Sequence, residues 1–90
     1  MSKVWKVAFE EEAARDFRKL DVSIQRKIEK YLRQRLATPE NPRRFGKELT
    51  GDLKGFWRYR VEDYRLVCRI EDNQLIIVVI HLGHRSKVYN

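Results

Sequence analysis

The sequence predicts an α+β fold: an N-terminal strand and a helical hairpin packed on a mostly antiparallel four-stranded sheet, in the order β-α-α-β-β-β. Three patterns predict it. Gly55 to Ile70, GFWRYRVEDYRLVCRI, alternates aromatic and β-branched residues with arginines on both sides of Glu62-Asp63, the mark of a β-hairpin. Two stretches before it carry apolar residues at helical spacing. Leu75 to Ile80, LIIVVI, is apolar on both faces, as a strand in the middle of a sheet is.

With 90 residues the chain makes one domain, 1–90, large enough for a modest core without staples. Lys and Arg number 20 against 13 Asp and Glu, for a net charge of +7. So basic a small domain points to a polyanionic partner: nucleic acid, an acidic protein or an anionic surface. The single cysteine, Cys68, has no partner for an intramolecular disulfide. It reads as a small buried hydrophobe in a protein of the reducing cytoplasm. MSKVWKVAFE has no apolar signal core, and the run at Leu75 is too short to span a bilayer. No membrane partner is expected.

Val4 to Phe9 alternates as a short strand. Glu10-Glu11-Glu12 opens the first helix, where acidic side chains suit the positive end of the dipole. Its apolar stripe is Ala13, Ala14, Phe17 and Leu20. Asp21 is an N-cap residue type for the second helix, whose stripe is Ile24, Ile28, Tyr31, Leu32 and Leu36. Thr38-Pro39 ends it, since a residue before proline is pushed out of the α region. The basic residues of this helix read first as a solvated face.

Pro39 to Lys54 is a long connection for so small a domain. It carries Arg43, Arg44, Lys47 and Lys54, with Phe45 and Leu49 as anchors, and reads as a flexible basic lip beside the sheet. The hairpin follows. With Glu62 and Asp63 as its turn, Val61 pairs with Tyr64 and Arg60 with Arg65, with Arg58 diagonal on the same face. Like charges directly opposed in a ladder are destabilising, so folding alone gives no reason for them; a bound polyanion does. Asp72-Asn73 is the next turn and Gln74 to Leu82 the last strand. Gly83 is expected to break it.

No Gly-rich phosphate loop, paired catalytic carboxylates, Ser/Cys–His pair or metal cluster is present, and neither cofactor nor metal is called for. The inventory is arginines, a histidine and a late tyrosine. It fits cleavage of RNA by its own 2′-OH, which needs a base, an acid for the leaving 5′-oxygen, and cations for the pentacoordinate phosphate. Arginine meets the last need and serves poorly as a base. His84 is the residue type that can give or take a proton near neutral pH. Tyr89 either ionises in the positive field or stacks on a base. His81 reads as structural.

WRYRV, DYRLVCRI and IIVVIHLGHRSKVY, with KELTG before the sheet, together resemble the RelE-type toxins of bacterial and archaeal toxin–antitoxin pairs, over nearly the whole chain. The resemblance implies a microbial RNase-like fold and a ribosome-dependent endoribonuclease that cuts messenger RNA in the aminoacyl site of the 70S ribosome. It implies a RelB-type antitoxin, acidic and partly disordered, through which the toxin reaches operator DNA. Arg58 and Arg60 fall where family members have two lysines. Arg65 matches the arginine that holds the scissile phosphate, Arg85 the one at the leaving group, and Tyr89 the tyrosine that orients the base. Arg43, Arg44, Lys47, Lys54, Arg69 and Lys87 are the remaining candidate contacts to RNA or ribosome. The departure is Arg60 in place of a lysine able to act as base: either His84 or Tyr89 takes the proton, or cleavage relies mainly on electrostatic stabilisation and positioning. The competing class is a gyrase poison of the ParE type, which shares the fold and generally lacks the arginine and tyrosine set.

Overall fold

The computed structural model describes residues 3–88. The elements are β1 (Lys6–Phe9), α1 (Glu11–Arg18), α2 (Val22–Tyr31), β2 (Lys47–Glu48), β3 (Trp57–Val61), β4 (Tyr64–Glu71), β5 (Ile76–His84) and α3 (Arg85–Val88). One five-stranded sheet runs in the order β1-β5-β4-β3-β2. β1 lies parallel to β5 and every other pair is antiparallel. The expected α+β class and element order hold. The additions are α3 and the fifth strand: β2 has two residues, both exposed, so it leaves no apolar alternation to read.

The helices form as their stripes dictate. Ala13 and Ile28 are fully buried, and Phe17, Leu20 and Ile24 pack against the same core. Glu10 and Asp21 occupy the N-cap positions in extended conformation, and neither makes a side-chain cap bond. The link between helices is closed instead by Gln25, whose side-chain amide donates to the carbonyls of Leu20 (2.9 Å) and Arg18 (3.3 Å), two acceptors the end of α1 leaves open. α2 passes into a π-helical turn, Leu32–Leu36. The wider turn, closed by Ala37 N–H on Leu32 O at 2.7 Å, accompanies the burial of both Leu32 and Leu36.

The core lies between these helices and one face of the sheet. That face presents Val7 and Phe9 from β1, Ile77, Val79 and Leu82 from β5, Leu66 and Cys68 from β4, and Tyr59 and Val61 from β3. Cys68 is the buried hydrophobe its position implied, and burial pushes its thiol pKa well up. No helix among the described residues is long and apolar enough to cross a membrane.

The connection from Pro39 to Lys54 is built rather than loose. It contains two 3-10 turns, Pro42–Phe45 and Gly51–Leu53, on either side of β2. The Tyr59 hydroxyl donates to Pro42 O at 2.8 Å from a fully buried position. Gly46 lies against that ring so closely that a Cβ there would sit 2.9 Å from two ring atoms.

Two expectations for the last strand change. The turn before it takes four residues, Asp72 to Leu75, and Leu75 itself adopts φ 54°. Gly83 does not end the strand: it pairs with Arg65, and β5 continues to His84 opposite Tyr64. The ladder with β4 holds glycine in extended conformation there, overriding its local preference.

Candidate functional site: a basic face of the sheet

The hairpin register is the one the sequence dictates: Val61 pairs with Tyr64, Arg60 with Arg65 and Arg58 with Val67. Extending it across the sheet gives two rows on the face away from the helices. Lys47, Arg58, Val67 and His81 form one row; Arg60, Arg65 and Gly83 form the next. Arg60 is exposed and Arg58 and Arg65 are half-buried. At about 5 Å per strand spacing, four cations from three strands share one small area. Arg69 lies farther along β4, facing Glu10 at 3.8 Å and paired with Glu71.

A bulge decides which histidine joins this face. Val67 pairs with His81 but the next residue, Cys68, pairs with Val79, so Ile80 is an extra residue in β5. An inserted residue reverses the alternation beyond it. His81 therefore comes onto the basic face, half-buried. His84 shares the opposite face with Leu82 and meets Tyr64 edge-on at 5.6 Å. Its Nδ1 accepts the Ser86 N–H (3.3 Å) and lies 3.0 Å from the Ser86 hydroxyl. His84 thus caps the N-terminus of α3. The bulge thus places His84, a candidate base in the sequence reading, on the far face, and His81, which read as structural, on the near one.

α3 is fixed at the hairpin turn. Arg85 N–H donates to Asp63 O at 2.7 Å, and Arg85 Nε stands 3.9 Å from the Asp63 carboxylate. Arg85 is exposed at the end of the rows, and Lys87 falls within α3. Tyr89 lies outside the described residues.

The connection supplies less than its charge suggests. Arg43 forms a two-pronged pair with Asp72 (3.0 and 2.7 Å), and Arg44 one with Glu40 (2.9 and 2.7 Å). The Arg43 guanidinium holds the Asp72 carboxyl below its usual range. Both Arg35 and Arg44 stack over Phe45, at 4.9 and 4.6 Å. Lys47 is brought onto the basic face by pairing with Arg58, whereas Lys54 stands exposed before the hairpin. An open groove of about 460 Å³ runs between α2 and the outer edge of β3, lined by Lys27, Lys30, Tyr31, Arg35, Arg60 and Glu62 among others. Arg60 thus borders both the basic face and this groove.

A protein-family model described as the ParE toxin of the type II toxin–antitoxin system parDE matches residues 7–89. The chain belongs to the RelE/ParE superfamily of type II toxins. It is 36% identical over 83 residues to the toxin RelE of Mycobacterium tuberculosis, covering 92% of this chain and 84% of that one. It is 32% identical over 83 residues to RelG of the same organism, covering 92% and 93%. Among solved structures, the RelBE2 toxin–antitoxin complex of M. tuberculosis matches with a TM-score of 0.83 at 30% identity, over 97% of this chain and 98% of that one. The isolated Escherichia coli RelE toxin shares the fold, with a TM-score of 0.70 at 24% identity over 89% and 83% of the two chains. The protein is accordingly a toxin of a type II toxin–antitoxin module.

Proposed function

We propose that this toxin is an endoribonuclease that cuts messenger RNA in the aminoacyl site of the ribosome. The observation that carries this is the direct pairing of Arg60 with Arg65, beside Arg58 and Lys47, on the face opposite α1 and α2. Opposed like charges cost a sheet about 0.2–1 kcal/mol. A phosphate between them converts that cost into binding, because guanidinium groups form paired hydrogen bonds with phosphate oxygens. The charge that grows on a pentacoordinate phosphate as a 2′-OH attacks is what such donors stabilise. In this reading Arg65 holds the scissile phosphate, Arg58 and Arg60 flank it, and Arg85 stabilises the leaving 5′-oxygen. Tyr89 stacks on a base. The charge of +7 suits both the ribosome and an acidic, partly disordered RelB-type antitoxin that folds as it wraps the toxin. Contact with operator DNA would run through that antitoxin. All of this takes place in the cytoplasm.

A second reading has one observation in its favour: the matching family model carries the ParE description, and ParE-type toxins act on gyrase. Primer extension on messenger RNA in a reconstituted translation reaction separates the two. The toxin is expected to produce new 5′ ends inside aminoacyl-site codons only when ribosomes are present. Arg65→Ala should reduce them by about 10²–10³-fold. No new ends from a toxin that still arrests growth would favour the gyrase reading.

A further inference from the structure

We propose that His81 is the proton acceptor for the 2′-OH in this cleavage; the inference rests on the ribonuclease reading above. A base must reach the face that holds the phosphate. Arg58, Arg60 and Arg65 are there and stay protonated. His84, one of the candidates the sequence offered, is turned to the other face by the bulge and engaged at Nδ1 in capping α3. The same bulge brings His81 into the row of Lys47, Arg58 and Val67. Imidazole is the side chain suited to exchanging protons near neutral pH.

The position is open to a substrate. β1 ends at Phe9, opposite Val79, so among the described residues no strand flanks β5 at His81 on its outer side. Gly83, two residues on, places no side chain between His81 and the Arg60–Arg65 pair. From Arg58 to His81 is two strand spacings, roughly 10 Å, which a phosphodiester and its two sugars can bridge. The charged groups that share the face of His81 are Lys47 from β2, Arg58 and Arg60 from β3, and Arg65 and Arg69 from β4. Glu10, after β1, faces Arg69, and Arg85 and Lys87 belong to α3, which packs on β5.

In the step, neutral His81 takes the 2′-OH proton as the 2′-oxygen bonds to phosphorus and the P–O5′ bond breaks. The products are a 2′,3′-cyclic phosphate and a 5′-oxygen that takes its proton from water, and the imidazolium returns its proton to solvent. No oxidant or further reactant enters.

The test is single-turnover cleavage of a defined messenger RNA on programmed ribosomes, between about pH 5.5 and 8.5, by wild type and His81→Gln. The variant should cleave about 10²-fold more slowly and lose the rise in rate through the neutral range. His81→Ala, checked by thermal melting, should regain at least about tenfold when imidazole is added, a response that a purely structural role would not give. Cleavage by His81→Gln within about threefold of wild type, on the same pH profile, overturns the assignment and leaves the ribonuclease reading intact. So does a slow variant that keeps the wild-type profile and ignores imidazole. Absence of cuts by the wild type itself removes the ribonuclease reading and this assignment with it.

Discussion

Gly46→Ala is a sharp test of how the basic face is held. The added Cβ would lie 2.9 Å from Cε1 and Cζ of Tyr59 and 3.3 Å from Arg58 O. The ring has little freedom to yield: it is fully buried, its hydroxyl donates to Pro42 O at 2.8 Å, and Tyr31 meets it edge-on at 6.4 Å. Gly46 itself has an ordinary φ of −105°, so the substitution meets no backbone penalty and the clash acts alone. Overpacking of this kind costs about 1–3 kcal/mol, and the lost freedom of the unfolded chain returns about 0.4–1 kcal/mol. A net loss of about 1–2 kcal/mol remains. At about 4–8 °C per kcal/mol for a domain of this size, Tm should fall by roughly 5–15 °C. The damage should reach function, because Gly46 precedes Lys47, which pairs with Arg58. Thermal and urea unfolding of Gly46→Ala, Tyr59→Leu and the double variant measure this. The double variant should be more stable than the sum of the single effects by about 1 kcal/mol, since leucine removes the atoms the Cβ meets. Gly46→Ala as stable as wild type, or a double variant that is simply additive, would refute the contact.

Two further outcomes follow from the charges. Arg60→Thr removes one member of the opposed pair and places a β-branched residue in a strand, so unfolding free energy should rise by up to roughly 1 kcal/mol while cleavage falls; a loss of both would show that the pair supports the fold. Arg43 depresses the pKa of Asp72 in the folded state, so the contribution of this pair is complete above the unfolded value of about 3.9 and is lost as pH falls through the lower folded value. Asp72→Asn should therefore flatten the acid limb of the stability profile below about pH 4, read by urea unfolding across pH. An unchanged slope there would remove the pair from the acid response.

Local rules carry the hairpin. Its register needs only the period-two alternation of Trp57 to Val61 and Tyr64 to Ile70 and a two-residue turn, and these place Arg60 opposite Arg65 with no help from the rest of the chain. The helical stripes are equally local, each being one face of a 3.6-residue repeat. The sequence by itself therefore determined the α+β class, the buried Cys68 and the core of the cationic site. What it could not supply depends on partners far along the chain. β1 adds in parallel to β5 across nearly the whole sequence, and β2 is a strand only because β3 offers it an edge. The bulge at Ile80 is the decisive case. Regular alternation from Ile77 and Val79 would turn His81 inward, and one extra residue in the pairing with β4 turns it onto the basic face and sends His84 away. Whether two residues oppose one is a property of a ladder between two strands. Neither strand's sequence contains it, so only the tertiary structure decided which histidine stands beside the arginines.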